Sequence, residues 1–101
     1  MKTLLTIVGT KFRGPRIVRL VANLPNGEPL ALVRDRENPH DPMAVQVWAR
    51  GEMIGFIKRE DNRAIALAMD ANIINWGPQF TMPARLACDG RRWPMVEVEE
   101  S

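Results

Sequence analysis

The chain has 101 residues, 46% of them hydrophobic and 26% charged, which favours one globular domain over residues 1–101. Its net charge of +2 identifies no partner, and its lone cysteine excludes an internal disulfide. A single cysteine fits a reducing compartment, so we expect a cytoplasmic protein. No apolar run approaches the length of a membrane span, and Lys11 and Arg13 follow the short apolar start too closely for a signal peptide.

The first part of the chain is basic. No acidic residue precedes Glu28, whereas five cations do. These cations are Lys2, Lys11, Arg13, Arg16 and Arg19. Such one-sided charge suggests a polyanionic partner, but charge alone favours a solvated strand edge that Lys and Arg protect from aggregation.

The first half of the chain is predicted to consist of strands separated by turns. Residues 3–9 form a strand that Gly9 ends, and residues 11–15 form a bend because Gly-Pro cannot continue a central strand. Residues 17–21 are predicted as a strand or a short helical turn. Further strands are predicted at 30–34, 43–49 and 53–57.

Residues 59–71 form the one predicted main helix. The segment lacks Gly and Pro, places apolar residues in helical register, and carries Glu60 and Asp61 in its first turn, where the helix dipole favours acids. Strands are predicted after it at 79–82, 84–88 and 91–98. Many short strands with close turns and one helix predict a small β-barrel or a partly open sheet.

A polar loop separates the strands at 30–34 and 43–49. Pro39 and Pro42 restrict it, because proline fixes its own φ and pushes the preceding residue toward extended conformations. The loop presents His40 and Asp41 next to each other. Rigid loops on a scaffold often carry binding residues, so this loop is a candidate binding element.

Enzymatic chemistry has little support in the sequence. His40 is the only histidine, so a zinc site would have to use carboxylates or Cys88, whereas zinc prefers several nitrogen and sulfur ligands. His40 and Asp41 are neighbours in an extended segment and would point in opposite directions. No nucleophile elbow or phosphate-cradling loop is present. We therefore predict no catalytic residue, no metal and no cofactor.

Two basic segments are candidates for anion binding. Lys11, Phe12 and Arg13 combine cations with an aromatic ring, which is what single-stranded nucleic acid requires. The alternative is that Phe12 belongs to the core and the cations are simply solvated. Lys58 and Arg59 precede the predicted helix, whose free N–H groups could hold an anion, or they are ordinary surface residues. Three tryptophans are expected in the core, namely Trp48, Trp76 and Trp93.

These segments together resemble the HIRAN domain. The resemblance spans residues 3–88 and rests mainly on the Asn-Pro-His-Asp-Pro-Met-Ala-Val run that begins at Asn38, with support from Ile7–Phe12 and from the Ile-Gly-Phe-Ile-Lys-Arg-Glu run at 54–60. It implies a mainly β fold, a barrel of about six strands related to the OB-fold, with one main α-helix near residues 59–71. It also implies capture of single-stranded DNA at free 3′-OH ends, in DNA repair or stalled-fork processing.

The resemblance further implies roles for individual residues. Lys11 would contact phosphate, Phe12 would stack on a base, His40 would stack or bond to phosphate, and Asp41 would accept a hydrogen bond from the 3′-hydroxyl. The complete set of implied DNA-binding residues is Lys11, Phe12, Arg13, His40, Asp41, Phe56 and Lys58. The implied partners are single-stranded DNA and a DNA helicase, translocase or nuclease, with no membrane.

Two other functions remain open from the sequence. The chain could be a protein-interaction or regulatory barrel that does not bind DNA, in which case a steep salt dependence of DNA binding would be absent. It could instead be a nuclease-like enzyme, which would need a carboxylate pair for a metal from Asp35, Glu37 and Asp41.

Overall fold

The computed structural model describes residues 2–71, 81–87 and 95–99. Within these ranges the chain forms six strands, two α-helices and one 3-10 helix. The strands are β1 (Lys2–Val8), β2 (Pro29–Arg34), β3 (Val45–Ala49), β4 (Glu52–Ile57), β5 (Thr81–Ala87) and β6 (Met95–Glu99). The helices are α1 (Pro15–Asn23), α2 (Arg59–Ala71) and the 3-10 helix Thr10–Arg13.

The six strands form a closed barrel in the order β1-β4-β3-β2-β5-β6, and β6 pairs back onto β1. All of the pairings are antiparallel. Closure removes the free sheet edges that would otherwise invite pairing with other chains. The prediction of a mainly β barrel with six strands is confirmed.

Alternation along the strands separates the core from the outer face of the barrel. On β3, Val45, Val47 and Ala49 are buried, whereas Gln46 and Trp48 between them are half-buried and point outward. The expectation that Trp48 lies in the core is therefore wrong, and its indole N–H donates to Gln46 Oε1 at 2.9 Å on the outer face. Trp76 and Trp93 lie outside the described residues.

Helix α2 has the bounds that the sequence predicted. Its buried side chains, Asn62, Ile65, Ala66 and Met69, recur every three to four residues and form one stripe that faces the barrel core. One member of this stripe, Asn62, is polar. Neither α1 nor α2, the α-helices of the described residues, is long and apolar enough to span a membrane.

The segment between β1 and β2 is helical. Of the two forms predicted for residues 17–21, a strand or a short helical turn, the structure has the helical one, as part of the longer helix α1. The predicted bend at 11–15 contains the last three residues of the 3-10 helix and the first residue of α1. Pro15 suits this first helical position because its fixed φ is helical and its missing N–H is not needed. Ile17 and Val21 are buried at a spacing of four residues, which anchors one face of α1.

The C-terminal strands also differ from their predicted limits. The two strands predicted at 79–82 and 84–88 are one strand, β5, which continues through Pro83. The last strand, β6, is described from Met95 to Glu99. The predicted strand positions at residues 79, 80, 88 and 91–94 lie outside the described residues.

Candidate nucleic-acid interface

A row of outward-facing side chains crosses the barrel from β1 to β2. Val8 pairs with Phe56, Phe56 with Gln46, and Gln46 with Val33 across the neighbouring strands. Phe56 and Val33 are half-buried and Val8 is exposed, so the row is a partly open apolar strip with one amide in it. It begins beside the 3-10 helix and ends where β2 enters the polar loop.

Two glycines set the position of the 3-10 helix against this strip. Gly9 adopts a left-handed conformation (φ 81°) and accepts the Phe12 N–H at 3.1 Å, which turns the chain out of β1. Gly55 lies under the start of the helix, where a Cβ would stand 2.6 Å from the Val8 carbonyl oxygen and 3.2 Å from Thr10 Oγ1. Only glycine permits this close approach of β1 and the 3-10 helix to β4.

The 3-10 helix presents an exposed aromatic ring between two cations. The Phe12 residue is 80% exposed, so the alternative that it belongs to the core is wrong. The ammonium of Lys11 lies 5.1 Å from the centroid of its ring, within the range of a cation–π contact, and Arg13 is also exposed. A ring of this kind offers a face on which a nucleic-acid base can stack.

The polar loop at residues 35–44, here called the Asn-Pro loop, is folded by its own side chains. Asn38 Oδ1 accepts the backbone N–H groups of His40 (2.8 Å) and Asp41 (3.0 Å), which closes an Asx-type turn. Asn38 Nδ2 donates to Asp35 Oδ2 at 3.3 Å, and the same oxygen accepts Gln46 Nε2 at 3.2 Å. The loop is thereby joined to the strip through Gln46, while the His40 residue is left exposed.

The Asp41 carboxylate is held at both oxygens. Oδ1 accepts the Met43 backbone N–H at 2.9 Å, and Oδ2 accepts Asn62 Nδ2 from helix α2 at 2.8 Å. These two bonds, the Met43 bond first, lower the pKa of Asp41 below its ordinary value of 3.8, and the charges of Arg59 and Arg34 add to this against the effect of burial. Asp41 is therefore an ionised, acceptor-only group at neutral pH.

Arg34 ties the Asn-Pro loop to the other end of α2. Its side chain is only 6% exposed, and it donates to both carboxylate oxygens of Asp70, at 3.0 and 3.2 Å. It also donates to the carbonyl oxygens of Pro42 (2.8 Å) and Ala44 (3.0 Å). These contacts make Arg34 a structural clamp between loop and helix.

Most of the predicted site residues lie along the outward-facing strip or on the two segments at its ends, the 3-10 helix and the Asn-Pro loop. Phe56 lies beside the 3-10 helix, and His40 and Asp41 lie on the loop that Gln46 and α2 hold. Lys58 differs from the others, because its ammonium is 3.7 Å from the Glu60 carboxylate and its backbone N–H donates to Thr6. Among residues 2–71, 81–87 and 95–99, no group of three or more His, Cys, Asp or Glu side chains could hold a metal ion.

Sequence reasoning missed two residues of this site. The sequence indicates Arg59 only as a cation before the helix, whereas in the structure its charge acts on Asp41. The sequence does indicate that Asn62 is unusual, since it is an amide inside the apolar stripe of a helix. The identity of its partner, 21 residues earlier in the chain, requires the tertiary structure.

Comparison with known proteins places this geometry in context. The HIRAN domain family model matches residues 2–83. The crystal structure of the HIRAN domain of human HLTF has a TM-score of 0.59 at 24% identity, covering 98% of this chain and 77% of that one. The crystal structure of a protein from Lactobacillus plantarum has a TM-score of 0.72 at 21% identity, covering 96% and 95%. At these identities both likenesses concern the fold, and none of the curated proteins compared with the chain matches it.

Proposed function

This chain belongs to the HIRAN domain family, and on that premise we propose that it is a single, non-catalytic domain that captures single-stranded DNA at free 3′-OH ends. HIRAN domains are known as DNA-binding domains and generally carry out no chemistry on their own. The proposal extends to DNA repair or stalled-fork processing, with a DNA helicase, translocase or nuclease as partner protein. The part that the residues of this chain can test is the recognition of the strand end.

The observation that carries the proposal is the state of Asp41. Its carboxylate is ionised and fixed by the Met43 N–H and the Asn62 amide, so it can accept a hydrogen bond and cannot donate one. A terminal 3′-hydroxyl is a donor and satisfies it. A terminal 3′-phosphate is an anion, and placing it beside a carboxylate is unfavourable. Such a group distinguishes a free end from a blocked one without reading sequence.

The remaining residues supply binding that does not depend on the terminus. The exposed ring of Phe12 gives a base a stacking face, while Lys11 and Arg13 beside it neutralise phosphates. In the proposal His40 stacks or bonds to phosphate at the exposed tip of the Asn-Pro loop. Phe56 and Lys58 line the site, and Arg59 joins them as a cation near Asp41.

Fluorescence anisotropy with labelled oligonucleotides tests the proposal. Matched strands that end in a 3′-hydroxyl or a 3′-phosphate are titrated at two salt concentrations, with a 5′-phosphate pair as the control for charge alone. We expect tighter binding of the 3′-hydroxyl strand, a negligible 5′ effect, and affinity that falls steeply with salt. Equal affinity for both 3′ ends would contradict end recognition, and salt-independent or absent binding would favour a protein-interaction domain.

A pair of variants assigns the preference to Asp41. Asp41→Ala should abolish the difference between the two 3′ ends, because the acceptor is gone. Glu37→Gln is the matched control, since it removes one exposed carboxylate from the same loop. It should leave the preference intact. Loss of the preference in both variants would mean that the net charge of the loop, and not Asp41, discriminates between the ends.

A further inference from the structure

We propose that Asn62 on helix α2 is a positioning residue that gives Asp41 its selectivity for a hydroxyl end, an inference that rests on the proposed function. Asn62 is 3% exposed and is the buried polar side chain of the described residues. It occupies a position in the α2 stripe whose other members are Ile65, Ala66 and Met69. Its amide is therefore unusual for its place and needs a partner.

Burial makes the orientation of the Asn62 amide well defined. An amide removed from water without a hydrogen-bond partner costs on the order of the strength of the lost bond, so a buried asparagine keeps the partner it has. Here that partner is Asp41 Oδ2, at 2.8 Å. An apolar residue in the same place would pack without this requirement. We therefore attribute the asparagine at this position to its hydrogen bond with Asp41 and not to packing.

Helix and loop divide the Asp41 carboxylate between them. The loop supplies one donor, the Met43 N–H to Oδ1, and α2 supplies the other, the Asn62 amide to Oδ2. With only the first, the carboxylate could rotate about the Cβ–Cγ bond and present either oxygen. With both, its plane is fixed, and each oxygen keeps lone-pair capacity for one further donor.

The Asn62 bond also favours the ionised form of the carboxylate. A hydrogen bond donated to the charged form favours that form, and the Asn62 bond acts on Asp41 in this direction. A protonated Asp41 could donate to a phosphate and would lose the distinction between free and blocked ends. Asn62 thereby acts on end selectivity through Asp41, without contact to DNA being required of it.

Two substitutions at position 62 test the role of the amide. Asn62→Leu keeps a similar side-chain volume and removes the donor. We expect it to raise the pKa of Asp41, measured by carboxyl-carbon NMR in the absence of DNA, and to lower the 3′-hydroxyl preference by about tenfold. Asn62→Asp keeps the shape and sets two carboxyl groups beside each other. It should raise the pKa of the pair further and make the preference depend on pH.

Ile65→Val is the matched control, because it thins the packing of the same helix without touching Asp41. It should leave both the Asp41 pKa and the preference unchanged. An unchanged Asp41 pKa and preference in Asn62→Leu would overturn the inference, and so would an equal loss of preference in Ile65→Val. If the unmodified protein showed no 3′ preference, the proposed function would fail. The Asp41 titration would still decide whether Asn62 controls the carboxylate.

Discussion

Phe12 is 80% exposed, so its ring contributes little to the stability of the fold. We expect Phe12→Ala to change the free energy of unfolding by less than about 0.5 kcal/mol. It should nevertheless weaken binding of single-stranded DNA by roughly tenfold, since stacking on an aromatic ring contributes about 1–3 kcal/mol per base. Chemical denaturation and anisotropy titration measure the two effects separately.

The control for Phe12 is another exposed apolar residue. Leu67 on α2 is 46% exposed, so Leu67→Ala removes exposed apolar surface from a different place. It should leave the DNA affinity unchanged. Equal losses of affinity in the two variants would show that Phe12 contributes general surface hydrophobicity and not a stacking face.

At the scale of elements, the Arg34–Asp70 pair holds α2 against the Asn-Pro loop. Burial would raise the pKa of Asp70 above its usual 3.8, but hydrogen bonds and charges from Arg34 and Arg36 outweigh this and lower it. We expect Asp70→Asn to reduce the free energy of unfolding by about 2–3 kcal/mol at pH 7, because Arg34 is left buried without its carboxylate. Urea titrations at several pH values measure the effect.

The sign of the pH dependence follows from the lowered pKa of Asp70. The contribution of Asp70 to the free energy of unfolding is fully present above the pKa that Asp70 has in the unfolded chain. It is lost as the pH falls through the lower pKa that Asp70 has in the folded protein. The difference in the free energy of unfolding between Asp70→Asn and the unmodified protein should therefore be largest at pH 7 and vanish in acid. Glu60→Gln, which breaks the exposed contact between Lys58 and Glu60, should cost less than about 0.5 kcal/mol. A similar cost for both variants would contradict the clamp.

The junction of β1, β4 and the 3-10 helix depends on Gly55. A methyl group there would meet the Val8 carbonyl oxygen, which is backbone and cannot move aside cheaply. Gly55→Ala should lower the free energy of unfolding by about 1–3 kcal/mol and also weaken DNA binding, because it displaces the helix that carries Phe12. Thermal denaturation and DNA titration of the same variant check both effects.

Gly51 provides the comparison for Gly55. It has nothing within 4 Å of a built Cβ but has φ +78°, so Gly51→Ala adds backbone strain in the β3–β4 turn without a clash. It should lower stability by about 1 kcal/mol and leave DNA affinity unchanged. A DNA defect as large as that of Gly55→Ala would mean that general destabilisation, and not the 3-10 helix, explains the loss.

The elements that the sequence predicted well are those whose pattern and burial agree. The alternation of β3 and the register of α2 directly reflect their buried faces. The sequence predicts α1 only as a strand or a short helical turn because Ile17, Val18 and Val21 are β-branched, and only tertiary packing makes the four-residue spacing of the buried pair decisive. The same limit applies to Asn62 at the site, since the role of its amide is evident only when the tertiary structure shows Asp41 as its hydrogen-bond partner.

At the scale of the whole molecule, four of the five cations that precede Glu28 lie on the 3-10 helix and on α1. The 3-10 helix and α1 follow each other directly, and their cations include Arg16, which pairs with Glu52, and Arg19, for which the described residues give no ion pair. Apart from Lys2 on β1, the cations that precede Glu28 are thus on the 3-10 helix that carries Phe12 and on the helix that follows it. A strand held at its end by Asp41 could continue along these two helices.

This arrangement predicts a length-dependent electrostatic contribution from Arg19. Arg19→Ala should reduce the slope of log affinity against log salt by about 0.7 for a long single strand, the value for one lost phosphate contact. It should leave binding of a dinucleotide unchanged, because so short a ligand does not extend to α1. Arg85→Ala is the control, since Arg85 is exposed on β5, which lies opposite β4 in the strand order. An equal change of slope in both variants would mean that net charge acts at long range and that the strand does not follow α1.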